Sequence, residues 1–364
     1  MIKNIQYKKL GEICDFISGG TPSKSKNEYW KNGNIPWIKI SDFKEKYIKY
    51  SDEKITKNGL ENSSAKLLKK GTILYTIFAS VGKVAILDIE ATTNQAIVGV
   101  NLKENNLVDK DFLYYFLCSI ENNIKRQARG VAQNNINISI LKNVCIPILP
   151  ISSQKNIVKT LMRLENILEN FKQKKILINF LNKSLFTTMF GDIKTNDKNW
   201  EIYYWKDILN IKNGKNQKQV EDINGKYPIY GSGGIIGRSN AYICNENSII
   251  IGRKGNINKP ILVKEKFWNV DTAFGLEVKS EKMSYHYLYY FCLFYDFEIH
   301  NKAVTIPSLV KSDLEKIVLP VPPIELQNKF AERIEKITKL SFEIEEAIKE
   351  AENLYNSLIS KYFD

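Results

Sequence analysis

Histidine is scarce in this chain: only His286 and His300 occur among 364 residues. The five cysteines (Cys14, Cys118, Cys145, Cys244, Cys292) are widely spaced and never form C-x-x-C. Neither a zinc site nor a disulfide framework is therefore expected, and no metal ligand is assigned. Long apolar runs are also lacking, and stretches such as 145–151 are far too short to span a bilayer. No secretory signal opens the chain, since MIKNIQYKKL leads into polar, strand-like sequence. A cytoplasmic protein with no membrane association is expected. Catalytic signatures are missing as well: there is no G-x-x-x-x-G-K-[ST] loop, no Asn-Pro-Pro-Tyr methyltransferase motif and no evident D-x-x-[DE]-x-K cluster. GSGGIIG (231–237) departs from G-x-G-x-x-G by one residue and is not bracketed by a clear βαβ unit, so it reads as a turn or a close approach to a ligand. No catalytic residue and no cofactor is predicted.

What the chain has is positive charge. Its 53 Lys and Arg exceed 40 Asp and Glu, for a net charge of +13 and a pI of about 9.2. That balance points to an acidic partner such as nucleic acid, although abundant Lys, Asn and Ile also fit the codon bias of an AT-rich genome. The charge is unevenly spread: +8 for 1–150, +4 for 151–192, +4 for 193–323 and −3 for 324–364.

An internal repeat organises the chain. LKNVCIPILPISSQ (141–154) returns as LEKIVLPVPPIELQ (314–327), and 130–190 registers on 303–363 without a gap. Pro147 falls on Pro320, Pro150 on Pro323 and Gln154 on Gln327. Upstream, FLYYF (112–116) resembles YLYYF (287–291), GNIPWI (33–38) resembles GKYPIY (225–230), and ISGGTPSK (17–24) resembles IKNGKNQK (211–218). The chain reads as two copies of one module, each a variable domain followed by a matched tail.

The tails are helical by pattern. Residues recur at steps of three and four through Leu161, Leu164, Leu168 and Phe171, and through Ile334, Ile337, Ser341, Ile344 and Ile348, apolar except at Ser341, with Lys175 and Asn182 interrupting the first seam. Each tail follows a proline-rich stop and should be roughly 35–40 residues long, about 55 Å at 1.5 Å per residue. Helices of that length are expected to pair, and opposite tail charges favour pairing with each other. Antiparallel pairing would hold the two domains apart as a ruler. The globular parts combine short β-rich runs with one apolar helix each, so the expected fold is mixed α/β: two globular domains at 1–150 and 193–323, and two long helices at 151–192 and 324–364 forming an antiparallel coiled coil with an internal pseudo-twofold repeat.

The stretch KLGEICDFISGGTPSKSKNEYWKNGNIPWIKISDF (9–43), with GVAQNNINISILKNVCIPILPISSQ (130–154) and its copy at 303–327, resembles the specificity subunit of a type I restriction-modification system, over nearly the whole chain. The resemblance implies two target recognition domains, each reading one half of a split site on double-stranded DNA. It also implies docking onto two modification subunits that hold S-adenosylmethionine and methylate adenine, with restriction subunits joining optionally. A stand-alone DNA-modifying enzyme with its site between the domains is the competing reading.

Base discrimination needs donors and acceptors on loops, with cations for phosphate. Six arginines occur, four of them in the globular parts, so Arg129 and Arg253 are informative candidates. Arg253, Lys254 and Asn256 sit on a glycine-flanked turn after a strand, with Ser80-Val81-Gly82-Lys83 as the expected counterpart in the first domain. Gln133 and Asn135, and Thr305 and Ser308, lie in matched loops. The matched upstream stretches add Lys24 and Trp37 in the first domain and Lys215, Gln217 and Tyr230 in the second, and Lys39, Ser41, Lys83 and Ser232 are further candidates.

Overall fold

The computed structural model describes residues 5–103, 107–120, 136–303 and 305–363. The chain divides into two compact units, Met1–Asn170 with Ile348–Asp364, and Phe171–Ala347. In chain order the first copy of the module runs β1 (Gln6–Lys9), α1 (Leu10–Ile13), β2 (Cys14–Ser18), β3 (Ile35–Ile38), β4 (Tyr47–Ile48), β5 (Lys54–Ile55), α2 (Lys57–Glu61), β6 (Ile73–Thr76), β7 (Val84–Leu87), β8 (Thr92–Thr93), β9 (Ile97–Leu102), α3 (Lys110–Ser119), α4 (Ile138–Asn143), β10 (Cys145–Ile148) and α5 (Ile151–Phe190). The second runs β11 (Glu201–Tyr204), α6 (Trp205–Ile208), β12 (Leu209–Asn213), β13 (Tyr227–Gly231), β14 (Gly234–Ser239), β15 (Ser248–Gly252), β16 (Ile261–Val263), β17 (Trp268–Asn269), β18 (Ala273–Val278), α7 (Tyr285–Phe294), α8 (Lys311–Leu314), β19 (Val318–Val321) and α9 (Ile324–Phe363).

The same wiring appears in both. A five-stranded sheet ordered β2-β9-β6-β7-β4 corresponds to a four-stranded sheet ordered β12-β18-β15-β16. A small sheet β5-β3-β8 corresponds to β14-β13-β17, and in each the central strand pairs in parallel with the last. A two-stranded ribbon closes each domain: β1 on β10 with Tyr7 opposite Pro147, and β11 on β19 with Ile202 opposite Pro320. In a ribbon one edge of each strand is free, so a proline's missing N–H breaks no ladder. The second repeated proline starts a helix, because the Pro150 carbonyl accepts from the Ser153 and Gln154 N–H groups, and the Pro323 carbonyl from those of Leu326 and Gln327. Both helices then run 40 residues.

The repeated glutamine ties helix to domain. Gln154 is fully buried; its amide donates to the Leu149 carbonyl at 2.7 Å and the Leu107 carbonyl at 2.8 Å, while its oxygen accepts from the Asp109 N–H at 2.8 Å. Gln327 repeats the arrangement, donating to Pro322 at 2.7 Å and Lys282 at 2.9 Å and accepting from Ser284 at 2.8 Å. Asp109 and Ser284 are the N-caps of α3 and α7. One side chain therefore fastens the start of each long helix to the start of the domain's apolar helix.

The long helices pack within each unit. In the second unit Lys175 pairs with Glu345 at 2.8 Å, while further along α5 the rings of Phe186 and Phe190 lie 5.6 and 5.0 Å from Phe330, nearer the start of α9. Rising numbers on one helix meet falling numbers on the other, so the pair is antiparallel. In the first unit Tyr355 donates to Glu165 at 3.2 Å, Tyr115 donates to the same carboxylate at 2.5 Å, and Phe363 packs on Phe112 at 5.1 Å between ring centres. Of the predicted seam residues, Leu161, Leu164, Ile334 and Ile344 are buried, and Leu168, Phe171, Ile337 and Ile348 are half-buried. The aromatic runs of α3 and α7 are core: Phe112, Tyr115, Phe116, Tyr287 and Phe291 are at most 1% exposed.

Burial also sorts the cysteines. It pushes the Cys14 and Cys244 thiols up to about 12, and raises Cys292 as well, whereas Cys145 is exposed. The thiolate is the reactive form. A thiol probe added to native protein at pH 8 should label Cys145 first, with Cys14, Cys244 and Cys292 reacting only after unfolding. Three or more thiols labelled at one fast rate would contradict this packing.

Candidate nucleic-acid interface

Four segments distant in sequence converge in the second domain. After β15 the chain turns through Gly252-Arg253-Lys254-Gly255-Asn256. A Cβ on Gly252 would lie 2.4 Å from the Asn256 carbonyl oxygen, and Gly255 has φ +80°, so this turn needs both glycines. The Thr272 carbonyl accepts from Arg253 N–H at 2.8 Å and from Lys254 N–H at 3.3 Å. On the other side Gly255 N–H donates to the Pro307 carbonyl at 3.0 Å, and Leu309 N–H donates to the Arg253 carbonyl at 2.9 Å. The turn of the β13–β14 hairpin completes the group, since a Cβ on Gly233 would stand 3.6 Å from Asn256 Nδ2 and one on Gly255 4.0 Å from Ser232 Oγ.

The predicted contacts Ser232, Arg253, Lys254, Asn256, Thr305 and Ser308 are thereby gathered at one place. Lys254, Asn256 and Thr305 are exposed, and Ser232, Arg253 and Ser308 are half-buried. The Arg253 guanidinium stands 5.8 Å from the centre of the buried Phe274 ring, and among the described residues it has no hydrogen-bond or carboxylate partner. Among those residues nothing competes with a ligand for it. Arg238 differs: Nε donates to the Gly225 carbonyl at 2.6 Å and its terminal nitrogen to Lys226 at 2.7 Å, so it braces a turn. Lys215 adjoins the group through its N–H bond to the Asn269 carbonyl at 3.0 Å. Tyr230 lies edge-on to Phe267 at 5.5 Å with its phenol raised by burial, and Gln217 is half-buried on the segment after β12.

In the first domain the candidates are not brought together in the same way. Lys24 and Lys39 both reach Glu53, at 2.6 and 2.7 Å, and hold its carboxyl below its usual value. Lys24 also lies 3.7 Å from the Trp30 ring centre, and Trp37 is buried with its indole N–H donating to the Gly20 carbonyl at 2.9 Å. This knot organises the fold around Gly20 and leaves Ser41 and Lys83 as exposed candidates. Arg129, Gln133 and Asn135 fall outside the described residues.

The expected counterpart of the Arg253 turn is corrected by strand register. Ile73 faces Val100 and Leu74 faces Gly99 in the first domain, as Ile249 faces Leu276 and Ile250 faces Gly275 in the second. Counting onward puts Ile77-Phe78-Ala79-Ser80 on Arg253-Lys254-Gly255-Asn256. Two observations agree: Ile136 N–H donates to the Ile77 carbonyl as Leu309 donates to that of Arg253, and Ala79 has φ +61° where Gly255 has +80°. Of the expected segment only Ser80 falls in this turn, and Val81-Gly82-Lys83 lies further along that hairpin. Where the second domain offers Arg253, the first therefore has the apolar Ile77. Sequence reasoning missed the organising role of Thr272, for which a lone threonine gives no signal until the sheet register is known.

A cleft of about 840 Å³ in the second unit carries Glu246, Glu277, His286 and Glu335. Glu277 is engaged by the Asn245 N–H at 2.9 Å and faces Lys212 at 3.6 Å, while burial lowers the pKa of His286. Among the described residues no nucleophile stands in hydrogen-bond contact with a base there. Among the described residues there is no cluster of three or more metal-ligating side chains, and no helix is long and apolar enough to cross a membrane.

Comparison with known proteins gives a concordant set. The model of the type I restriction modification DNA specificity domain matches residues 2–179 and again 197–352. The MjaIX specificity subunit of Methanocaldococcus jannaschii is 26% identical over 99% of this chain and 92% of its own length. The EcoR124I/EcoR124II specificity subunit of Escherichia coli is 32% identical over 56% of this chain and 48% of its own. Among solved structures, the type I S subunit from M. genitalium superposes with a TM-score of 0.62 at 19% identity, covering 99% of this chain and 96% of that one. A chain from a study of type I complex assembly and conformational transition gives 0.60 at 16%, covering 99% and 98%.

Proposed function

Because the chain belongs to the type I restriction-modification DNA specificity family, we propose that its two domains, 1–150 and 193–323, each read one half of a split target on double-stranded DNA. Membership of this family makes the chain a DNA-recognition subunit rather than an enzyme. The observation that carries the half-site reading is the convergence of three further segments on the turn of Arg253, whose guanidinium has no hydrogen-bond or carboxylate partner among the described residues. A positioned guanidinium with polar neighbours is the usual bidentate reader of guanine in the major groove, and Lys254 and Lys215 supply cations for the flanking phosphates.

The chain's partners on this reading are two modification subunits that hold S-adenosylmethionine, with restriction subunits joining optionally, all acting in the cytoplasm. The long helices offer these subunits an apolar surface. In the second unit Leu177, Phe180, Leu181 and Phe342 are 49–67% exposed, and Leu177 and Leu181 line a groove of about 650 Å³ with Phe171, Ile178 and Ile344. Large exposed apolar patches of this kind mark protein interfaces.

Arg253→Ala in the complete system should weaken recognition of the half-site read by the second domain only, by about 1–3 kcal/mol for a bidentate guanine contact. Competition binding against duplexes altered in one half or the other measures this. An equal loss on every sequence would make Arg253 a phosphate contact instead.

A further inference from the structure

Around Arg253 the second domain exposes three isoleucines. Ile235, Ile236 and Ile306 are 62%, 54% and 60% exposed. Two of them follow the glycine turn of the β13–β14 hairpin, and the third precedes Pro307, whose carbonyl holds the Gly255 N–H. Their location is fixed by the contacts already described. A Cβ on Gly231 would lie 3.7 Å from Ile236 Cγ2 and 3.9 Å from Thr272 Oγ1, so the Ile236 side chain flanks the residue whose carbonyl holds Arg253 and Lys254. A β-branched side chain is stiff at χ1, so each loses little freedom when a ligand covers it.

Resting on the half-site reading, we infer that Ile236 and Ile306 read thymine, by packing against its C5-methyl group in the major groove. The occupant follows from the company these side chains keep. Lys254 and Lys215 favour a polyanion over an apolar protein face, and the only apolar projection that the major-groove edge of a base pair offers is the thymine methyl. Methyl contact next to a guanine-reading arginine gives the second half-site at least one T, held by shape and burial rather than by a hydrogen bond.

Deoxyuridine tests this, because it deletes the methyl and keeps every donor and acceptor. The full chain, assembled with its modification subunits, is titrated against the duplex defined by methylome sequencing, with uracil replacing each thymine of the second half-site in turn. At one or more positions affinity should fall roughly fourfold per methyl. The double variant Ile236→Ser/Ile306→Ser should bind the thymine and uracil duplexes equally. A second half-site without an A·T pair would overturn the inference, as would unchanged affinity at every uracil while base-pair changes still weaken binding. Equal affinity for the target and a scrambled duplex would overturn the half-site reading itself, which separates the two failures.

Discussion

Gln327→Ala should destabilise the second unit by about 3 kcal/mol or more, a larger effect than any exposed substitution in the chain. The substitution leaves the Ser284 N–H and the Lys282 and Pro322 carbonyls without their partner at a site where Gln327 is 0% exposed. Each buried group left unpaired costs about 1–3 kcal/mol. Gln327→Glu should be no milder at neutral pH, since a carboxylate can still accept from Ser284 but cannot donate to the two carbonyls, and it buries a charge. Gln154→Ala should cost the first unit a similar amount through Asp109, Leu107 and Leu149. Urea unfolding followed by circular dichroism gives the values. A loss below about 0.5 kcal/mol, the scale of a neutral surface change, would mean the clamp contributes nothing.

This clamp shows what a single sequence exposes and what it hides. The repeat, the two 40-residue helices and the aromatic cores were legible because each is a local or periodic pattern: proline spacing, apolar steps of three and four, and FLYYF against YLYYF. The glutamines were visible as landmarks, but their partners lie up to 47 residues away, and no local rule gives such a pairing.

The candidate interface divides along the same line. Around Arg253 the prediction names residues that the fold gathers, because a glycine-flanked turn after a strand can be read locally. Lys24 and Lys39 look equally suitable in sequence, yet Glu53, 29 and 14 residues away, engages both. Arg238 is likewise taken by the carbonyls of Gly225 and Lys226. Whether a cation is free for a ligand depends on which acceptors the sheets bring to it. The misplaced counterpart of the Arg253 turn has a related cause: Ser80-Val81-Gly82-Lys83 reads locally as a similar turn, and only the ladder of β6 on β9 fixes Ile77 in that role.

The largest functional effect should come from exchanging a domain. Each globular part has its own sheets and its own buried core, built on Tyr75 and Phe112 in one and on Trp205 and Phe291 in the other, so recognition loops are supported from within their own module. Replacing residues 1–145 by the corresponding domain of a relative keeps Gln154 itself, exchanges its partners Leu107 and Asp109 for the donor's equivalents, and leaves 193–323 untouched. Ile77 and Ser80 leave with the exchanged piece, while Arg253, Lys254 and Asn256 remain.

Methylome sequencing of a host carrying the complete system, with the original chain and then with this exchange, tests the central claim that each domain reads its own half-site. The account predicts a split target in which one half changes to that of the donor and the other half is retained base for base. A target whose two halves change together, or neither of which changes, would contradict it.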